Sequence, residues 1–338
     1  MSVIAPRFLS IFLLGGLIVT SVLSSRVVAA QESVVVSGLL SEMSRALREK
    51  DYRGLFTYEF GGALQTLRVT HRVMDGEEYE NVEFLNGPSR RVERNGRNVE
   101  CLSPADQVLR GMFPAIDGNI SNNYKGLQQH YQFYIRDDER IAGRLATVLQ
   151  IVPRDDYRYG YTLSIDKQTY LPLGSMTFTS RRKVLERLQF ASLDLDVDDS
   201  WVGAVGATSD IQRPGFEPCD SNPEPLGWSL GWVPAGFVPA GASRLFDVGD
   251  VQLYTDGLSA FSVFLEPMGK NVAAQGKAQR GATVAYMQQH VFNGKAYTVT
   301  VVGEIPAITA QRIAGSLQFQ FDPVQPQLPQ AIPSQPPS

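Results

Sequence analysis

The tightest constraint on this chain is a change of hydrophobic period near residue 50. Val36, Leu39, Leu40, Met43 and Leu47 recur at helical spacing, with Glu42, Arg45, Arg48 and Glu49 between them. That pattern predicts one amphipathic helix ending near Lys50. Beyond it the spacing falls to two: Leu55, Thr57 and Glu59 alternate with Phe56, Tyr58 and Phe60. Gly61-Gly62 then offers a hairpin turn into Leu64–Val73. Further strands are predicted at Glu78–Leu85 and Arg90–Asn95, with Asn95-Gly96 turning back through Asn98–Leu102. Ser103 to Gly126 is punctuated by Pro104, Gly111, Pro114, Gly118 and Gly126, and reads as a loop-rich excursion with short helical pieces. A five-strand meander follows at Tyr131–Arg136, Arg144–Pro153, Tyr159–Asp166, Leu171–Thr179 and Val184–Leu193. About ten strands with one or two helices call for an antiparallel sheet wrapped over helical cover, an α+β fold that is mostly β.

The period is lost after Val197, and the Pro/Gly-rich stretch 199–228 reads as a linker. A smaller α+β unit over 229–321 comes next. Gly231 to Phe237 turns into it, and Asp256-Gly257 joins Gln252–Tyr254 to Leu258–Glu266. Asn293-Gly294 joins Ala282–Val291 to Lys295–Gly303. Pro306 suits the first turn of a helix whose face is Ala310, Ile313, Ala314 and Leu317. Residues 31–198 are then the large domain, and 322–338 a Pro/Gln-rich tail expected to be disordered.

Residues 1–30 carry an export signal. Arg7 precedes the apolar run Phe8 to Leu23, and Val28-Ala29-Ala30 supplies the small residues of a cleavage site near Ala30. The run is shorter than the ~20 residues that a membrane-spanning helix needs. A formal charge of −4 gives no reason to expect nucleic acid or an anionic surface as partner, and export makes nucleic acid less suitable still. The two cysteines, Cys101 and Cys219, fit either one disulfide in an oxidising compartment or two separately packed thiols.

Nothing nominates catalysis or a cofactor. His71, His130 and His290 are isolated, and each reads as a packed or surface imidazole. No metalloprotease, phosphate-loop, nucleophile-elbow or paired-cysteine motif occurs. Asp194, Asp196 and Asp198 share one face of a strand whose other face is Leu193, Leu195 and Val197, which fits a half-buried last strand better than a calcium loop. Arg90, Arg91, Arg94 and Arg97, and again Arg181, Arg182 and Lys183, read either as solvated strand edges or as a docking surface for lipid phosphates or an acidic peptide. Tyr157, Tyr159, Tyr161 and Tyr170, with Phe133 and Tyr134, suit a core, and a curved sheet under helices can also enclose a lipid-sized pocket.

Five segments resemble the MucB/RseB family: NGPSRRVERNG (Asn86–Gly96), VPRDDYRYGYTLSIDKQTYLPL (Val152–Leu173), GWVPAGF (Gly231–Phe237), YTDGLSAFSVFLEP (Tyr254–Pro267) and TVVGEIPAITAQRIAGSL (Thr300–Leu317). The likeness runs from about Gln31 to Phe321 in family order. It implies a periplasmic protein with a large LolA-like unclosed β-barrel over helices and a small α+β domain. It further implies a regulator that binds the periplasmic domain of a MucA/RseA-type anti-sigma factor and shields it from site-one proteolysis. Lipoprotein acyl chains or lipopolysaccharide would be the releasing signals, bound on the large domain's concave side, and homo-oligomers stay open. On this resemblance, partner contacts fall on Tyr254, Phe261, Phe264 and Arg280 of the small domain and in the cleft between the domains. A lipid or lipoprotein carrier using the large-domain cavity is the competing expectation.

Overall fold

The computed structural model describes residues 33–88, 90–95, 124–197, 226–245, 249–268 and 275–319. The expected signal peptide, the 199–225 part of the linker, both cysteines, the return strand Asn98–Leu102 and the tail lie outside these residues.

Helix α1 spans 33–49. Its apolar stripe is Val36, Leu40, Met43 and Leu47, all buried, while Glu42 and Arg45 pair on the outer side. The change of period then delivers nine antiparallel strands: β1 (Tyr52–Phe60), β2 (Ala63–Met74), β3 (Glu77–Phe84), β4 (Arg90–Asn95), β5 (Tyr131–Ile141), β6 (Arg144–Pro153), β7 (Gly160–Asp166), β8 (Pro172–Phe178) and β9 (Val184–Asp194). They form one sheet in the order β4-β3-β2-β1-β9-β8-β7-β6-β5. Strands β4 and β5 end it without pairing to each other, so the barrel is unclosed. Alternation sets the inward face: Glu186, Leu188 and Phe190 of β9 are buried while Arg187 and Gln189 are exposed. Gly54 on β1 lies against the Phe190 ring, where a Cβ would approach to 2.7 Å.

The loop reading of Ser103–Gly126 falls mostly outside the described residues, but its end is corrected. Helix α2 (Tyr124–His130) begins there, burying Tyr124 and Leu127. Strand β9 stops at Asp194, where the Asp194 carboxylate accepts the Asp196 N–H at 3.0 Å and Leu195 is exposed, so the half-buried strand does not run on through Val197.

The small domain carries a six-stranded antiparallel sheet, β11 (Val238–Leu245), β12 (Gly249–Thr255), β13 (Ala260–Pro267), β14 (Gly276–Arg280), β15 (Thr283–Phe292) and β16 (Lys295–Gly303), ordered β11-β12-β13-β16-β15-β14. A short pair, β10 (Trp228–Leu230) with β17 (Leu317–Phe319), flanks it. Pro306 stands as the cap of helix α3 (Ala307–Ala314), one residue earlier than expected. Ala310, Ile313 and Ala314 of α3 bury against Val284, Val299 and Val301, whereas Leu317 belongs to β17.

Candidate functional site

The two domains meet through polar side chains from the start of β5 and from the turn between β6 and β7. Arg158, between β6 and β7, is fully buried. Its Nη1 donates to Asp256 Oδ2 at 2.9 Å, and Nη2 donates to the Ala235 carbonyl at 2.6 Å. Tyr131 donates its hydroxyl to the same Asp256 oxygen at 2.8 Å. The other Asp256 oxygen accepts the N–H groups of Leu258 at 3.0 Å and Ser259 at 2.9 Å, fixing the Asp256-Gly257 turn. Tyr159 donates to the Ile305 carbonyl at 3.1 Å, and Thr309 donates to the Tyr157 carbonyl at 3.0 Å. Arg312 donates to the Tyr157 hydroxyl at 2.7 Å while its guanidinium covers Trp232 at 4.0 Å. Leu258 and Ala282 of the small domain join the large domain's core, so docking is apolar as well as polar.

A second contact brings together two buried carboxyl groups, Glu186 and Glu304. Glu186 of β9 is buried and accepts the Ala282 N–H at 2.8 Å, with the Tyr58 hydroxyl as a further partner. Burial raises its carboxyl above the usual range. Glu304, before α3, is pushed up to about 8 by burial and then by the Glu186 charge. At the end of β14, Gly281 adopts φ +59°, and a Cβ there would lie 2.0 Å from Glu186 Oε1.

Beside this contact opens a cleft of about 560 Å³ lined by Glu59 to Gly62, Lys183 to Leu185, Arg187, Gln279 and Gly281. Arg280 stacks over the Phe60 ring at 4.4 Å. Arg280 and Lys183 of the Arg181–Lys183 cluster both stand at this cleft, a proximity the sequence did not predict. Phe264 is half-buried on the opposite face of β13 from Phe261. Tyr254 and Phe261 are core residues instead, 8% and 1% exposed and stacked at 5.0 Å, so they present no surface to a partner. Tyr254 pairs with Phe261 across β12 and β13, and α3 and β10 cover the face they share. The sequence reasoning missed Arg158, Asp256, Glu186 and Glu304; only a buried-looking run, RYGY, hinted at the first.

The histidines have structural places. His71 donates from Nδ1 to the Lys50 carbonyl at 2.9 Å and stacks on Tyr52, and His290 donates from Nε2 to the Ala314 carbonyl at 2.9 Å. His130 lies under Gly236, and burial followed by the Arg158 charge holds its imidazole below the usual range. Among the described residues, no group of three His, Cys, Asp or Glu side chains could hold a metal ion. On the side of the sheet that α1 covers, Val36, Leu40 and Met43 are 0% exposed, and the dimple lined by Leu47, Tyr52, Leu171, Pro172, Phe190 and Leu193 has no room for a water molecule.

Residues 36–213 match the MucB/RseB N-terminal domain, and residues 222–318 match the MucB/RseB C-terminal domain. The chain belongs to the MucB/RseB family. The sigma factor AlgU regulatory protein MucB of Pseudomonas aeruginosa is 32% identical over 309 residues, covering 86% of this chain and 93% of MucB. The sigma-E factor regulatory protein RseB of Haemophilus influenzae is 27% identical, covering 90% and 96%. The crystal structure of MucB in complex with MucA(peri) superposes with a TM-score of 0.64 at 30% identity, covering 84% of this chain and 99% of that one. MucB alone gives 0.60 at 29% identity, covering 84% and 98%. The likeness to MucB thus includes both domains. The MucB/RseB relatives are named as regulators of sigma factors.

Proposed function

We propose that this chain is an exported, non-enzymatic regulator of the periplasm that binds the periplasmic domain of a MucA/RseA-type anti-sigma factor. By occupying that domain it restrains the site-one protease and so holds down a sigma-E-type envelope-stress response. The observation that carries this reading is similarity across both domains to a MucB crystallised with MucA(peri). The cleft at the domain junction supports it, since it offers a partner polar and apolar groups from both domains.

Release follows from linkage. A lipid or lipoprotein signal frees the partner only by binding the partner-free state more tightly, by the coupling free energy. The carrier alternative requires an acyl-sized cavity under the sheet, whereas Val36, Leu40 and Met43 of α1 bury fully on that side. Protease protection is the decisive assay. The cognate anti-sigma periplasmic domain should resist its site-one protease when the mature chain is present in excess. Cleavage at an unchanged rate would remove the proposal.

A further inference from the structure

The small sheet treats its two edges differently. At β11 the edge is blunted by Pro239 and by a bulge between Pro239 and Gly241. At β14 there is neither. Its five residues are all exposed, and among the described residues its outer side pairs with no strand. The hairpin fixes which backbone groups face out. Arg280 and Thr283 flank the two-residue turn Gly281-Ala282, so this pair is hydrogen-bonded, as is Ala278 with Ala285 two residues on. Lys277 and Gln279 fall between, and they turn their N–H and C=O groups away from β15.

This free edge runs into the cleft, whose exposed cations are Lys183 and Arg187, with Arg280 and Lys277 contributed by β14 itself. Arg181 and Arg182 stand exposed in the adjoining turn. Glu59 is the acidic residue of the lining, and the neighbouring Glu186 is turned inward to the Ala282 N–H. A basic surface of this density is notable on a chain of net charge −4. Phe60, Val184 and Leu185 give the cleft an apolar floor.

We infer that the outer edge of β14 takes up an extended, acidic peptide segment as a seventh strand, whose end lies in the basic cleft between the two domains. Backbone pairing supplies affinity and the cations select the charge. The inference rests on the partner reading above, and the segment is taken to belong to that same partner. A peptide is favoured over a lipid phosphate because Lys277 and Gln279 offer paired backbone groups that a headgroup cannot use.

The test is titration calorimetry of the full mature chain against the cognate anti-sigma periplasmic domain, at several salt concentrations. Gln279→Pro removes an outward N–H without touching the β14–β15 ladder, and should weaken binding about tenfold. Gln279→Ala, which keeps that N–H while removing the same side chain, should weaken binding clearly less than Gln279→Pro. Lys183→Glu with Arg187→Glu should weaken binding and flatten its salt dependence. Hydrogen exchange supplies a readout independent of the variants: the Lys277 and Gln279 amides should become protected on binding, whereas Ala278 and Arg280 are protected beforehand. Wild-type binding with Gln279→Pro unimpaired and those two amides still exchanging overturns the inference and leaves the regulatory reading standing. Loss confined to the charge reversal, matched by loss of binding to phosphatidylglycerol vesicles, reassigns the cleft to phosphate and also overturns it. Absence of wild-type binding removes both readings together.

Discussion

Asp256 accepts four donors: Arg158 and Tyr131 on one oxygen, and the Leu258 and Ser259 N–H groups on the other. Asparagine is nearly the same size but has one oxygen, so Asp256→Asn must turn its NH₂ either toward Arg158 and Tyr131 or toward the turn. Either way donors face a donor, and the Arg158 charge loses its fully buried counter-charge. Breaking a buried pair on one side costs about 3–5 kcal/mol. Asp155, 3.1 Å from Arg158 and partly exposed, remains as a counter-ion and places the value at the lower end. With about 2–4 °C per kcal/mol for units of this size, the lower-end cost of about 3 kcal/mol should bring the transition that breaks the junction down by about 6–12 °C. Scanning calorimetry should show it separating from the melting of the large-domain core, and X-ray scattering should show a larger radius of gyration. Arg158→Met removes the stranded charge, so the double variant should cost less than the sum of the singles by at least ~1 kcal/mol. Additive losses, or a transition within about 2 °C of wild type, would refute the claim that this pair latches the domains.

Two further outcomes follow from the junction and one from the core under the large sheet. Glu304 titrates near 8 in the folded chain against an ordinary value of 4.5, so the native state holds this proton longer than the unfolded one. Its contribution is therefore complete below about pH 4.5 and is lost as pH rises toward about 8; Glu304→Gln should flatten that decline in melting temperature between the two limits. Gly281→Ala combines a left-handed backbone with a 2.0 Å approach to Glu186, and chemical denaturation should register at least the ~1–2 kcal/mol of the backbone term alone. Leu40→Ala, at a position 0% exposed under the sheet, should cost about 2–5 kcal/mol, against near neutrality for Val34→Ala at 72% exposure.

Hairpins were the most legible part of this chain because their turns need positive φ that few residues tolerate. Gly61-Gly62 sits at +54° and +82°, and Asn293-Gly294 at +49° and +74°, the backbone that glycine and asparagine signal. The apolar stripe of α1 was legible for a similar reason, since one covered face leaves a period. Strand β14, Gly-Lys-Ala-Gln-Arg, left no such trace: with every residue exposed there is no buried face to impose alternation, and it read as loop. Strand β11 was hidden by Pro239 and Gly241, the features that blunt it as an edge. The junction was illegible on other grounds. Arg158 is buried by an aspartate 98 residues away, and Glu186 and Glu304 come from different domains, so no local window contains either pair. Phe261 and Phe264 look alike in sequence, and only the side on which α3 packs makes one core and the other surface.

A cleft lined by both domains exists only while they are docked, and this ties the latch to the partner. If binding requires the docked form, the apparent dissociation constant is the intrinsic one divided by the docked fraction. A docked fraction reduced from near unity to one tenth weakens the partner by about tenfold, with no change to any residue that touches it. Any agent that favours the parted domains, whether ionisation of Glu304 beside Glu186 or a signal molecule bound to a surface that docking covers, therefore acts on the partner through one equilibrium. Asp256→Asn isolates that coupling, because Asp256 lies in the junction and outside the cleft lining. Its loss of partner affinity should equal the loss of docked fraction measured by scattering. An affinity that stays at the wild-type value while the domains part would mean that one domain alone carries the partner.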